Sequence, residues 1–292
     1  MSIAMRSALY LSMHDLAEAQ TTAYGNGWTS SALKLTEICR VQSIDLAHSL
    51  VAFDGRVAIG FALVGTRADR GWLHDIAVAP AYRRAGLGKR LMEAVLGEMR
   101  QGGVREVELD VASMRGDAIG LYGKLGFGNA RTYLNLSAPA VELGLDQMNL
   151  AHGQRIVAGA EAQLIEAYAA ARRSEPLPCW DRSLPSLLAY PDGYISALFD
   201  GDRELGLMHY LARPAGGGDP DRIRPLFVRM APEAGARELA ALFAGTGSAA
   251  FGDVRRLTMR VALEPQESHL AALLGQLNML VVAESYDMRL VL

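Results

Sequence analysis

The sequence is poor in cysteine: Cys39 and Cys179 are the only two, lie far apart and form no metal-ligand spacing. A disulfide framework is not expected on that count, and nothing requires an oxidising compartment. Charge of one sign is also missing. The formal net charge is −3 with a pI near 6.1. No excess of positive charge favours nucleic acid or an anionic membrane surface as partner, which leaves room only for local basic patches. No run of about 18 apolar residues exists to span a bilayer. The N-terminus has one early cation, Arg6, and a short apolar stretch from Ala8 to Met13, broken by Ser12 and followed by His14 and Asp15. That is not the build of a secretory signal, and the expected location is cytoplasmic. The six histidines show no metal spacing, so no metal site is expected.

What is present is apolar material in quantity. Half of the 292 residues are apolar, 21% are charged, and mean hydropathy is +0.11. The length is about twice the commonest domain size, which predicts two domains with cores of their own.

The chain repeats itself. Phe53-Asp54-Gly55 recurs as Phe199-Asp200-Gly201, each between β-rich runs and each followed by a further glycine, Gly60 or Gly206. An Asp-Gly between alternating apolar runs signals a hairpin, because the turn needs residues that tolerate positive φ. Ala79-Pro80 and Ala231-Pro232 each follow a strand-like run. Val104–Val111 matches Val254–Val261 in alternation, and Leu121–Phe127 parallels Leu273–Met279. Four matches in the same order, with offsets of 146, 152, 150 and 152, indicate a tandem duplication with a diverged second copy. The linker is expected in Ser137–Gly153, and an insertion in the second copy at Gly216–Asp221. Each copy reads as helix, hairpin, strand, helix, strand, helix, strand, with first helices near Asp15–Tyr24 and Ala160–Arg173. Leu87, Leu91, Val95 and Met99 form one apolar stripe at spacing four, which predicts a helix packed on a sheet.

The segment from Leu73 to Met92 carries the chemistry. A strand runs into a turn with Gly86 and Gly88 and the cations Arg83, Arg84, Lys89 and Arg90, then into the amphipathic helix. Unpaired N–H groups and the dipole at such a helix start attract an anion, and glycine lets the backbone come close to a phosphate. The nucleotidase P-loop is excluded because positions 83 and 90 are both Arg. The dinucleotide fingerprint is excluded because its third glycine would fall on Leu91.

Arg83-x-x-Gly86-x-Gly88, followed by Leu121-Tyr122-x-Lys124-Leu125-Gly126-Phe127 behind the strand Val107–Val111, resembles the GNAT acetyltransferase superfamily. The resemblance covers residues 1–137 by motif and the remainder through the repeat. It implies an α/β (α+β) fold of two tandem GNAT-like domains, each a mixed, mostly antiparallel sheet flanked by helices. Residues 1–140 would be the catalytic domain and 150–292 a degenerate copy. Acetyl-CoA would be the co-substrate and no metal would be needed. Its pyrophosphate would sit on the amides of Arg83, Arg84, Ala85, Gly86, Leu87, Gly88 and Lys89, and its pantetheine arm along Ile76, Ala77 and Val78. The Val78 amide would polarise the thioester carbonyl. Tyr122 would protonate the departing thiolate. Arg115 stands near the place where the family often has Asn and could instead contact a phosphate. A general base is needed for the amine; His74 and Asp75 are both candidates, sent to opposite faces if the strand alternates, and Glu108 and Asp110 flank the neighbouring strand. The segment Gly25–Ile44, with Trp28 and Glu37, would line the acceptor side.

The second copy has no such loop. Met230-Ala231-Pro232-Glu233-Ala234-Gly235-Ala236-Arg237-Glu238 keeps one glycine and puts Glu233 and Glu238 where an anion would bind, and Leu274 stands for Tyr122. That copy could wall the acceptor site, form a homodimer or stabilise the first domain. The expected function is acetyl transfer to a primary amine of a small molecule or peptide. A non-catalytic acetyl-CoA sensor and an acyltransferase with another acyl donor are the alternatives.

Overall fold

The computed structural model describes residues 3–25, 27–159, 180, 183–190, 193–214 and 221–292. The helix expected near Ala160–Arg173, Cys179 and all but the last residue of Gly216–Asp221 lie outside them. The architecture is mixed α/β and mostly antiparallel, in two compact units: Met1–Ala130 with Asp287–Leu292, and Arg131–Tyr286. The division falls about ten residues before the boundary expected from the sequence, and the last six residues belong with the first unit. Among the described residues no helix is long and apolar enough to cross a membrane.

The first unit begins with β1 (Ile3–Ser7), α1 (Met13–Tyr24) and α2 (Ala32–Gln42). Ser12 caps α1 in a capping box with Asp15, which accounts for a start two residues earlier than the apolar pattern suggests. β2 (Leu50–Asp54) and β3 (Val57–Arg67) form the hairpin, with Gly55 at φ +61 in its turn. β4 (Arg70–Val78) pairs antiparallel with β3, and β5 (Glu106–Ala112) pairs parallel with β4. Between them runs α3 (Leu87–Gln101), and after β5 comes α4 (Gly116–Lys124). The sheet order is β1-β2-β3-β4-β5, followed by the chain's final strand.

The two faces of this sheet are covered separately because strand side chains alternate. Phe61 and Leu63 of β3 pack with Leu16, Ala19 and Ala23 of α1 and Leu35 of α2. The other face meets α3, whose stripe residues Leu87, Leu91, Val95 and Met99 are all at most 2% exposed. Burying each contributes about 1.5–3 kcal/mol of transfer free energy. Behind β5, Glu108 is held by Arg70 at 2.8 Å and by Arg289 at 3.6 Å, and Arg289 also binds Asp287 at 3.0 Å.

The second unit comprises β6 (Gly128–Pro139, from Arg131), β7 (Gln154–Gly159), β8 (Gly193–Asp200), β9 (Arg203–Arg213), β10 (Asp221–Met230), β11 (Leu257–Pro265) and the start of β12 (Leu280–Val291). Its central helix is Ala236–Phe251, and a shorter one is His269–Gln276. The repeat is visible in the ladders themselves. The β9–β10 pairing skips Leu226 where the β3–β4 pairing skips His74. Arg222 sits opposite Thr258 as Arg70 sits opposite Glu106, each pair shifted by 152 residues. That register corrects the offset of 150 read from alternation between the strands at Val104 and Val254. A slip of two residues leaves a period-two pattern unchanged, so alternation alone cannot detect it.

Candidate active site

β4 and β5 are paired only from Arg70 to Trp72 and from Glu106 to Glu108. Beyond that point they part. The cause is local: the β3–β4 register passes from Val64 opposite Leu73 to Leu63 opposite Asp75, so His74 is the extra residue of a β-bulge, which bends its strand. The bulge also breaks the alternation that would send His74 and Asp75 to opposite faces, and both line the cleft that opens between the strands.

This cleft has a volume of about 570 Å³ and is bounded by Leu73–Val78, Leu109–Ala112, Arg115, Tyr122 and Tyr24. One of its walls is the unpaired edge of β4. The Ala79 N–H donates to the Ile59 carbonyl at 2.8 Å, so that pair is hydrogen-bonded across the ladder. Antiparallel pairs alternate, so the neighbouring Gly60–Val78 and Ala62–Ile76 pairs are not. The N–H groups of Ile76 and Val78 therefore point away from β3; that of Ile76 donates to the Asp75 carboxylate, and that of Val78 lies on the edge of β4 that β5 leaves unpaired.

The cleft runs to the start of α3. Pro80–Tyr82 forms one 3₁₀ turn, held by a 2.9 Å hydrogen bond from the Tyr82 hydroxyl to Asp54. Arg84 at φ +64 and Gly86 at φ +81 are both left-handed, an arrangement that turns backbone N–H groups to one side. A Cβ at Gly86 would meet nothing within 4 Å, so conformation and not space calls for glycine there. Gly86 offers no side-chain cap, and the first helical bond is from Arg90 N–H to the Gly86 carbonyl. The N–H groups of Leu87, Gly88 and Lys89 precede it and have no helical acceptor. Leu87 anchors the turn in the core, while Arg84, Ala85 and Gly86 are exposed.

Arg83 is placed otherwise than its charge suggests. Its guanidinium donates to the carbonyls of Val78 at 2.7 Å, Tyr24 at 3.0 Å and Ala23 at 3.4 Å, tying the end of α1 to the loop. Lys89 faces Glu93 at 3.4 Å. Arg115 precedes α4 beside Asp117 at 3.6 Å and lines the cleft. Glu108 does not line it: both of its cationic neighbours hold it behind β5, which removes it as a base, whereas Asp110 lies in the cleft wall.

The acid–base groups converge at the bulge. Tyr24 donates a short hydrogen bond to Asp75, and Gln20 donates to the same carboxylate at 3.3 Å. Ser30 in turn donates to Gln20 at 2.8 Å, and Trp28 packs on the Tyr24 ring at 4.3 Å. Burial raises the Asp75 carboxyl above the ordinary carboxylate range, against the opposing pull of the Tyr24 bond and of the His74 charge. Tyr122, 7% exposed in α4, is pushed up to about 12, first by burial and then by the Asp75 charge. Tyr24 is likewise raised by burial and by Asp75, so both phenols hold their protons at neutral pH. Tyr24 and Gln20 went unread in the sequence, although their i, i+4 spacing on α1 puts them on one helix face.

Solved structures with this architecture cover the whole chain. A tandem GNAT protein from the clavulanic acid biosynthesis pathway superposes with a TM-score of 0.67 at 12% identity, covering 99% of this chain and 98% of that one. A GCN5-related N-acetyltransferase from Sphaerobacter thermophilus gives 0.64 at 16% identity, covering 99% and 95%. These likenesses define the class by fold: tandem GNAT-type α/β units.

The sequence comparisons name the family. The model of the acetyltransferase (GNAT) family matches residues 13–127. The [ribosomal protein bS18]-alanine N-acetyltransferase of Haemophilus influenzae is 30% identical over 112 residues, 38% of this chain and 72% of that protein. That of Escherichia coli (strain K12) is 39% identical over 77 residues, 26% of this chain and 51% of its own length. The chain thus spans about half the length of the first curated relatives it matches. It belongs to the GNAT acetyltransferase family.

Proposed function

We propose that the chain is an acetyl-CoA-dependent N-acetyltransferase whose first unit is catalytic and whose second unit is a degenerate copy. The observation that carries this reading is one cleft with a carboxylate held at a bulged strand, a protonated tyrosine and an edge of β4 not paired to β5, leading to an uncapped helix start. The open N–H groups of Leu87, Gly88 and Lys89 suit a pyrophosphate, and the β4 edge suits an amide-bearing arm that pairs as a strand does. Acetyl-CoA supplies an activated acetyl group as a thioester.

Asp75, with its raised carboxyl, accepts the proton that an ammonium must lose before its nitrogen can attack. The Val78 N–H donates to the carbonyl oxygen as negative charge gathers there. As the new C–N bond forms and the C–S bond breaks, Tyr122 gives its proton to the departing thiolate. Tyr24 and Gln20 orient Asp75. His74, the bulged residue, puts charge beside it. Arg83 serves by fixing the loop, and Arg84, Lys89 and Arg115 supply the positive potential.

The relatives that it matches are alanine N-acetyltransferases of a ribosomal protein. A peptide α-amine is accordingly the first acceptor we would assign. The test follows thiol release from acetyl-CoA with a peptide beginning in alanine, the same peptide blocked at its N-terminus, a lysine-bearing blocked peptide and small amines. Turnover with the free peptide alone supports the assignment. Turnover only with small amines overturns the acceptor. Acetyl-CoA binding without turnover on any amine overturns the enzyme.

A further inference from the structure

The second unit carries a cavity of about 340 Å³ lined by Arg213, Arg222, Arg224 and Arg260 together with Asn135, Leu211 and Ala262. The ladders put the four arginines on one face. Arg222 lies directly opposite Arg213, Arg224 is two residues along the same strand, and Arg260 is two beyond Thr258, the partner of Arg222. Their neighbours Ile223 and Met259 point the other way, into the core beneath the helix Ala236–Phe251. Like charges directly opposite on a sheet destabilise it. Among the described residues no carboxylate pairs with any of the four.

In the first unit the corresponding positions are neutralised internally. By register, Arg222 corresponds to Arg70 and Arg260 to Glu108. In the first unit that pair is an ion bridge of 2.8 Å. In the second the carboxylate has become a cation, Trp72 has become Arg224, and the bridge has become a pocket. We propose that this pocket binds a compact polyanion bearing two phosphate groups. Guanidinium forks match phosphate oxygens in paired hydrogen bonds, and four of them exceed what a single monoanion would need. At about 30 Å³ per water-sized group the cavity takes roughly ten heavy atoms, the size of a diphosphate.

The experiment is thermal unfolding and calorimetry of the full chain with sodium pyrophosphate, at ionic strength held constant with sodium chloride. A saturable rise in midpoint is expected. It should weaken about tenfold or more in Arg222→Gln and Arg260→Gln, the worth of one charge-assisted hydrogen bond, and persist in Gly86→Glu. Arg260→Glu, which returns a carboxylate to the cluster, should raise the unliganded midpoint and abolish the response. An equal response in Arg260→Gln, or its loss in Gly86→Glu alone, would overturn the site; the second result would put the phosphates on the first unit's loop. ADP distinguishes the sources. A larger response to ADP than to pyrophosphate assigns phosphates carried on a nucleotide, the reverse assigns a free diphosphate, and no response to either refutes the proposal.

Discussion

After the same bulged strand, the two units start their central helices in opposite ways. α3 begins at a left-handed Gly86 with no side-chain cap and no acidic residue in its first turn. The helix Ala236–Phe251 begins at an extended Gly235 whose N–H donates to the carboxylate of Glu238 at 2.9 Å, and Glu233 beside it is paired with Arg203. A helix start must satisfy its orphan donors somehow. The second unit does so with its own carboxylate, and that charge would repel an anion of the kind proposed for the first. Nearby, Phe227 takes the register position of Asp75, packed with Leu226, Leu207 and Ile195, and Leu274 takes the place of Tyr122. At these two positions the strand and helix are shared by both copies and the polar side chains belong to the first. The second unit keeps its fold with Phe227 and Leu274 in place of the carboxylate and the phenol.

The sharpest way to break this contrast is at the loop. Calorimetry should find one acetyl-CoA per chain, and Gly86→Glu should leave none, because it strains a φ of +81 and adds negative charge. Two sites in the wild type would mean that Glu238 does not close the second helix start. Next in size is Asp75→Asn, expected to lower turnover by about 10²–10⁴ with acetyl-CoA affinity kept, as for loss of a general base. The same variant should be more stable than the wild type at neutral pH. The folded carboxyl is raised, so the protonated form is favoured by folding, and stability is lost as pH rises through the folded value. A neutral amide escapes that loss; a variant less stable than wild type at pH 7 would show that burial of the charge is not what raises Asp75. Tyr122→Phe should reduce turnover by a smaller factor with binding unchanged, and equal turnover would remove Tyr122 as the acid.

A milder change probes the other copy. Glu238→Gln removes the charge that caps the second helix, and about 0.5–1 kcal/mol of stability should go with it, read as a lower urea midpoint. It should not create a second acetyl-CoA site, since Gly235 stays extended and no second glycine follows.

Much of this was legible in the residues. The Asp-Gly hairpins, the α3 stripe and the Arg83–Gly88 loop are local signals whose period or turn chemistry has one solution. What stayed hidden is what depends on register. The bulge at His74 follows from no single residue, yet it brings His74 and Asp75 to one cleft and parts β4 from β5. Arg83 reads as a phosphate cation by charge, but three carbonyls within its reach claim it. The division near Ala130 and the assignment of Asp287–Leu292 to the first unit arise from pairings between distant segments, which composition does not mark.

Tyr24 offers the smallest and most discriminating test, because it acts only through its neighbour. Its hydroxyl donates to Asp75 and so favours the ionised carboxylate, the form that the proposed mechanism needs as base. Tyr24→Phe removes that support while keeping the ring against Trp28 and Phe61. The Asp75 pKa must then rise further, and the acid limb of kcat/KM moves to higher pH. Above the limb Asp75 is ionised in both proteins, so the plateau should change little. A purely structural role for the hydroxyl would instead lower the plateau and leave the limb where it was. If the limb moves down, His74 rather than Asp75 is the group being titrated, since loss of the Tyr24 bond can only make the carboxylate harder to ionise.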